Sequence, residues 1–516
     1  MAWSTDFVDR LNAGGTFDFL WALEVLVVGS APSAGTVVLG SAADIGDLRC
    51  IGLRGVRVQG GRLSMSSWTS TVGAFTVDVV GDPSTMFQYI TRGSWVRVLC
   101  GFPGWVLADY QPVAIGRVYT IRGAPPLWTI ECWDWKSALH SRNDPANPAL
   151  FYNEGAVTTT VAAAFAPNSD TSITVSSTAS FEKGSVGLIR VTGPTDAFYL
   201  TWTGTAAGPA RFTGVSASNK FATLQEAVST EVVTRCAYLT GLPHNVIRTV
   251  LTSTGAATNG SFDQLPSSWG YAIPDSLLDH DDMNRWRDEI VITATGSHTI
   301  DLHIDEQQED GLAWLEGWMQ PMGLFFTTRQ GQITVRAVGA NHFTGSLPGE
   351  PSEITDADIE PGEPIEWECW DSDYTEEWRY VTFASVLHNA TEDTSVSTTE
   401  DTATLPAGEG KTISTATSVW DNTQGPLIND ALVIRLDDTL RRIPERLAVS
   451  VPLRFAQLAP GDYVYVSSVR VYGREEADTG AYESRVAFVT EVSPDWMSGR
   501  CRLSLAIFPT SELAFA

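Results

Sequence analysis

The stretch from Asp305 to Val338, DEQQEDGLAWLEGWMQPMGLFFTTRQGQITVRAV, most constrains the fold, because it asks for a helix and a hairpin in one apolar setting. Asp305 and Gln308 stand at capping-box spacing, which satisfies two otherwise orphaned amides at a helix start. Leu312, Leu315, Trp318, Met319 and Met322 recur at three- and four-residue spacing and form one apolar stripe. Pro321 disfavours helical geometry in the residue before it and Gly323 tolerates left-handed geometry, so the helix ends there. Leu324-Phe325-Phe326, a turn at Arg329-Gln330-Gly331, and Ile333, Val335 and Ala337 alternating with Gln332, Thr334 and Arg336 predict two antiparallel strands. Neither element can cover its own apolar face. The αββ unit is therefore expected to be a joint within a larger body.

That body is large. A chain of 516 residues is expected to divide into three or four domains, and 43% hydrophobic residues suffice for their cores. Frequent Val, Thr and Ser runs between Gly and Pro turns point to a mainly β protein with α+β parts. The net charge of -28 argues against holding nucleic acid by attraction, which needs clustered Lys and Arg, but suits a surface that DNA slides past. Cys50, Cys100, Cys132, Cys236, Cys369 and Cys501 stand singly, so neither a zinc site nor a disulfide scaffold is expected. The start, MAWSTDFVDR, carries acid before any apolar run and does not read as a secretory signal. Phe19 to Val28 includes Glu24 and is too short for a membrane span, so a soluble, cytoplasmically made chain is expected.

Four regions follow from composition. Residues 1–142 carry short alternating segments, such as Phe75–Val79, Trp95–Leu99 and Leu127–Asp134, at the spacing of a barrel or sandwich. Breakers at Asn143-Asp144-Pro145 open a Thr/Ser/Ala-rich stretch to residue 240, read as a small inserted β-barrel. Residues 241–350 form an α+β connection, with helices expected over Pro243–Thr254 and Leu277–Ile290 before the central αββ unit. Residues 351–516 return to strands. Within them Ser395–Thr415 reads as a long exposed loop, and Pro426–Pro444 as an amphipathic helix with Leu432, Leu436 and Leu440 on one side. The tetrapeptide ECWD at Glu131–Asp134 and Glu368–Asp371 is short enough to recur by chance.

Candidate chemistry is sparse. Asp301, His303 and Asp305 alternate and would share one strand face, as a metal site needs, but a solvated face gives the same pattern. Asp279-His280-Asp281-Asp282 reads as a charged helix surface. Asp356, Asp358, Glu360 and Glu363 resemble an oxygen-ligand loop for calcium without the EF-hand glycine and terminal glutamate. Glu366 with Glu368, or Glu376 with Glu377, could serve as glycosidase carboxylates only across a cleft that sequence cannot show. No GxSxG, HExxH or Walker loop is present, and Gly14-Gly15 and Gly60-Gly61 read as turn glycines. Trp128, Trp133, Trp135, Trp314, Trp318, Trp367 and Trp370 fit a core or an interface better than a sugar platform. No catalytic, cofactor-binding or metal residue is assigned, no cofactor is expected, and the chain does not read as an enzyme.

Several segments together resemble the hub (baseplate or tail-tip) proteins of tailed bacteriophages. They are the Asp310-Gly311-Leu312-Ala313-Trp314-Leu315 helix, the Gly323-Leu324-Phe325-Phe326 strand and Gln330–Arg336. Ile354–Ile359, Trp378–Phe383 and the Leu458-Ala459-Pro460-Gly461-Asp462 turn into Tyr463–Val466 follow in family order. The stretch from Phe198 to Val233 resembles a small module inserted in phage tail proteins, and the first domain resembles a tube-type split barrel. Some members carry a fused peptidase or lysozyme, which is not read in this chain.

The resemblance implies two tube-like split β-barrel domains, at 1–142 and 351–516, with the inserted β-barrel at 143–240 and the connecting unit at 241–350 between them. It implies a homotrimer whose six barrels continue the tail tube as a pseudo-sixfold ring at the tail tip of the virion. The implied partners are the tail tube or distal tail protein, the tape-measure protein and tip fibre or receptor-binding proteins. An acidic bore would repel phosphates and let DNA pass unretained during ejection. The alternatives are a receptor- or carbohydrate-binding tail component, with residues 143–240 as its binding module, and a β-rich glycan-degrading enzyme.

Overall fold

The computed structural model describes residues 3–13, 17–26, 36–40, 48–49, 53–65, 69–80, 90–140, 157–166, 169–179, 181, 187–192, 197–216, 231–253, 270–284, 292–293, 296–297, 300–304, 310–320, 323–337, 352–368, 381–386, 395–399, 411–415, 444–471 and 482–507. The chain is mainly β, and most strand pairs are antiparallel. The expected helix at Pro426–Pro444 lies outside the described residues except for Pro444.

The first sheet runs, edge to edge, through Leu48–Arg49, Thr36–Gly40, Leu20–Leu26, Trp95–Gly101, Gln111–Ala124, Leu127–Asp134, Phe75–Val80 and Leu53–Val58. Phe75, Val77 and Val79 are buried while Thr76, Asp78 and Val80 are not, the period of two that a one-sided sheet requires. The second sheet runs through Ser352–Thr355, Tyr463–Ser468, Tyr482–Asp495, Arg500–Ile507, Glu445–Pro452 and Glu366–Glu368.

These two sheets follow one path. Omitting the short pair at Thr36–Gly40 and Leu48–Arg49, six strands in each are visited in the same spatial order and the same chain order. In both, the fifth strand along the chain is 14 residues long and lies between the fourth and the sixth. One departure is that Leu20–Leu26 lies antiparallel to Trp95–Gly101, whereas Ser352–Thr355 lies parallel to Tyr463–Ser468. The two ECWD segments begin on non-equivalent strands, so they are not the trace of this repetition.

Between the sheets in sequence, Thr158–Thr160, Val232–Gly241, Gly187–Thr192 and Ala197–Trp202 pair in that order. A second small sheet, Ser172–Thr174, Arg211–Thr213 and Gly204–Ala206, is bridged to the first at Val161↔Val175 and Thr201↔Ser216. Ile189, Leu200, Trp202, Phe212 and Val233 fill a core separate from the rest. Val232–Gly241 then leaves this module, and its second half pairs with Ile300–Ile304.

The central unit forms as its periodicity predicts, with one shift. The helix spans Gly311–Met319 and Asp310 is its N-cap, accepting from Ala313 N at 3.0 Å. Asp305, expected to be the cap, lies outside the described residues, as do Pro321 and Met322. Leu324–Arg329 pairs with Gln332–Ala337 through a two-residue turn whose Gln330 and Gly331 both have positive φ, as a twist-matched hairpin needs. Helix and hairpin bury Leu315, Trp318, Phe326 and Ile333 in a core that also takes Trp95 and Ile115 of the first sheet and Tyr463 and Phe488 of the second. The unit is a joint.

Two further expectations change. Ser395–Thr415 is not a plain loop: Ser395–Thr399 and Lys411–Thr415 flank Val381–Val386 in a three-stranded sheet. Their Thr, Val and Ile content favours strands. Over the region expected as the Leu277–Ile290 helix, a 3-10 turn at Asp275–Leu277 precedes a helical segment at 280–284, and residues 285–290 lie outside the described ones.

Candidate functional site

The first sheet sends an arm to the second. Gly61–Leu63 and Ser70–Thr71 form a small hairpin, and Gly61 and Arg62 pair with Val492 and Glu491 of the Tyr482–Asp495 strand. Gly60 makes this approach possible. A Cβ there would lie 2.1 Å from Ser493 Oγ and 2.6 Å from Val492 O, so its role is close packing and not only a turn. Leu63, Met65 and Val72 of the arm enter the joint core. Ser70 Oγ donates to Phe326 O, and Lys136 Nζ donates to Ser70 O at 2.8 Å and to Glu316 Oε1 at 2.6 Å, tying the arm to the central helix and hairpin.

Beneath the joint lies a buried ionic knot. Arg336 Nε donates to Asp282 Oδ2 at 3.0 Å and Nη2 to Oδ1 at 3.3 Å, while Nη1 reaches Asp462 Oδ1 at 3.1 Å and the carbonyls of Ala459 and Pro460. Thr334 Oγ1 and Arg329 Nη1 donate to the same Asp282 carboxylate. Burial by itself would lower the Arg336 pKa, but Asp282 and Asp462 outweigh it and the net shift is upward. Three segments distant in sequence thus meet on one guanidinium, whose planar fork suits several oxygens at once. Gly461, at φ +96°, brings the Pro460–Asp462 turn against Arg336 and Phe325.

A second contact joins the sheets at another place. Trp496, in the turn before Arg500–Ile507, packs edge-on against Phe19 and Trp21 with ring centroids 5.5 Å apart, and lies 6.1 Å from Trp3. Leu453 enters the same cluster from the second sheet's side. Aromatic side chains carry large buried areas, so this contact outweighs the surface ion pairs around it.

The candidates read from sequence are placed as follows. Asp279 and Asp282 are buried, not a charged helix surface: Asp282 holds Arg336, and Asp279 accepts from the Asp282 amide at 3.2 Å. Only His280 and Asp281 of that run stay out of the core, and His280 Nε2 sits 3.1 Å from Asp275. Asp356 accepts from Ser468 Oγ and Val469 N, Asp358 from Thr355 and Arg454, while Glu360 and Glu363 both face Arg500. Those oxygens are engaged by protein donors and do not converge as calcium would require. Glu366 pairs with Arg502 and Glu368 lies 4.0 Å from Arg446 on an exposed strand, while Glu376 and Glu377 lie outside the described residues.

Asp301 and His303 lie on the Ile300–Ile304 strand, and Asp305 lies outside the described residues. Among the described residues no group of three or more His, Cys, Asp or Glu side chains is arranged to hold a metal ion. Nor, among them, is any helix long and apolar enough to cross a membrane. Trp135 and Trp318 are fully buried, Trp128 and Trp314 partly so, and Trp133 and Trp367 are exposed; Trp370 lies outside the described residues.

Sequence reasoning missed Arg336, because an arginine at a polar position of an alternating strand reads as solvent-facing. It also missed a groove beside the Gln111–Ala124 strand, lined by Ile90, Arg92 and Val118–Arg122. At this place Tyr119 and Trp133 stack face to face with centroids 4.0 Å apart, and the Arg92 guanidinium lies over both rings.

No protein-family profile matches the chain, and no curated protein sequence matches it. Among solved structures, a 43 kDa tail protein of prophage MuSo2 from Shewanella oneidensis is similar over 95% of this chain and 98% of its own, at 10% identity and a TM-score of 0.32. A chain of the virion of a native gene transfer agent particle is similar over 92% of this chain and 90% of its own, at 12% identity and a TM-score of 0.30.

Proposed function

We propose that the chain is a structural protein of a phage-type tail, and within it the hub that continues or closes the tail tube at its tip. The observation that carries this reading is the repeated sheet: two six-strand paths of one order, clasped by the Gly61–Leu63 arm and a common core. A chain with two equivalent sheets can enter a ring of even pseudo-symmetry with half as many subunits as sheets. A homotrimer of such chains matches a sixfold tube at one face while presenting a threefold surface at the other. The motif order of Asp310–Leu315, Gly323–Phe326 and Leu458–Val466 points the same way.

In this role the chain works by shape and repulsion. Its partners are its own copies, the tail tube or distal tail protein, the tape-measure protein and tip fibres, and its place is the virion's tail tip. The net charge of -28 suits a wall that DNA crosses without binding. Mass photometry and negative-stain microscopy of the purified chain test this: a trimer-sized ring with six lobes is expected. A monomer at all concentrations, giving no ring with either tube protein or tape-measure protein added, overturns it.

A further inference from the structure

We propose that the edge of the Gln111–Ala124 strand at Tyr119–Arg122, along which no described strand pairs, receives the Ser395–Thr399 strand of a second copy of this chain. The pairing is the contact between copies in the proposed ring, and it rests on that reading.

The two 14-residue strands are used differently on one side. In the second sheet, Tyr482–Asp495 pairs along one side with Arg500–Ile507. On its other side Tyr463–Ser468 reaches only Phe488, and the arm then fills the edge at Glu491 and Val492. In the first sheet, Gln111–Ala124 pairs along one side with Leu127–Asp134. On its other side Trp95–Gly101 reaches only Arg117, and Val118 closes that register by bonding Gly93 N at 2.8 Å and Ser94 O at 3.0 Å. Among the described residues, no strand continues along that side of Tyr119–Ala124. The position that holds the arm in one sheet is the groove of Ile90, Arg92 and Val118–Arg122 in the other.

The repetition also names the donor. The arm that fills the second sheet lies, in sequence, between Leu53–Val58 and Phe75–Val80. Their equivalents in the second sheet are Glu366–Glu368 and Glu445–Pro452. The segment between those two carries the three-stranded sheet, of which Ser395–Thr399 is an edge. It is not paired with Tyr119–Ala124 of its own chain. If each sheet clasps the next in the same sense, the first-to-second clasp falls within a chain and the second-to-first clasp falls between chains.

Charge agrees with this assignment. Ser395–Thr399 is flanked in sequence by Glu392-Asp393 and Glu400-Asp401, whereas the groove presents Arg92 and Arg122. The strand SVSTT is rich in β-branched residues and free of Pro and Gly, as an added strand should be. An open strand edge is otherwise a hazard that a protein must cover.

The test places a photo-crosslinker at the edge by Arg122→p-benzoylphenylalanine in full-length chain, mixing ordinary and nitrogen-15-labelled protein. Mixed-isotope crosslinks to the peptide containing Ser395–Thr399 are expected. Arg122→Glu, which reverses the charge facing Glu392-Asp393 and Glu400-Asp401 at an exposed position, is expected to weaken self-association by roughly tenfold with the monomer's melting temperature unchanged. Crosslinks confined to a single chain, or to another segment of the neighbour in a particle of unchanged size, overturn the strand pairing while leaving the ring. A chain that never associates overturns both.

Discussion

The guanidinium of Arg336 and the carboxylate of Asp282 lie against each other, 3.0 Å from Nε to Oδ2, with neither side chain exposed to solvent. Removing one partner of such a pair strands a charge in the interior. Asp282→Ala is therefore expected to cost about 3–5 kcal/mol, with the Asp462 contact limiting the loss. Adding Arg336→Met should recover part of it. Urea unfolding, read at the first transition because so large a chain need not unfold in one step, measures this. A loss under about 1 kcal/mol for the single change contradicts the account.

Gly60 and Gly317 should respond in opposite directions to the same substitution. Gly60→Ala puts a methyl group 2.6 Å from a backbone carbonyl that cannot swing aside, and should cost about 1–3 kcal/mol and expose the arm to protease. Gly317 is exposed within the central helix, and a Cβ there meets nothing within 4 Å. Gly317→Ala should stabilise by about 0.5–1 kcal/mol. Thermal melts of the two variants side by side decide it.

Trp496→Ala removes the ring that reaches Trp3, Phe19 and Trp21 across the sheets. A loss of about 3–5 kcal/mol is expected, together with a weakened near-ultraviolet circular dichroism signal from those neighbours. An unchanged spectrum would place the aromatic contact elsewhere.

Alkaline pH should destabilise the fold. Burial pushes the thiols of Cys100, Cys132 and Cys501 up from 9.0, and burial with the nearby Cys100 pushes Tyr110 from 10.0 up to about 12. The unfolded chain releases these protons first, so the stability they carry is whole below about pH 9 and declines as pH rises above it. The slope approaches about 1.4 kcal/mol per pH unit for each thiol. Melting temperatures between pH 7.5 and 10.5 should fall accordingly. Native protein should react at Cys100, Cys132, Cys236 and Cys501 with a thiol reagent only after unfolding.

What the chain discloses in its letters is uneven, for physical reasons. The helix and hairpin of residues 311–337 are legible because an amphipathic period and a two-residue turn are local signals. The helix start was misread because Asp305 and Asp310 are both competent caps, and the choice is made by packing beyond the helix. Ser395–Thr399 looked like a loop because polar strands lack alternation. Asp282 and Arg336 looked solvent-facing because a buried ion pair leaves the same letters as an exposed one. The repeated sheet is invisible in sequence because six strands can follow one path with different side chains filling the core. Of the joint itself only the apolar residues could be foreseen, since the arm's place on Tyr482–Asp495 depends on an approach of glycine to backbone that no spacing encodes.

The Gly61–Leu63 arm has a consequence for concentration. Because donor and acceptor belong to one polypeptide, that clasp forms at an effective molarity fixed by the tether and is indifferent to dilution. A contact at the Tyr119–Arg122 edge has no tether and grows with the amount of protein. Half of the seams in a closed circle of sheets would thus be made at synthesis, leaving only the other half to wait for an encounter.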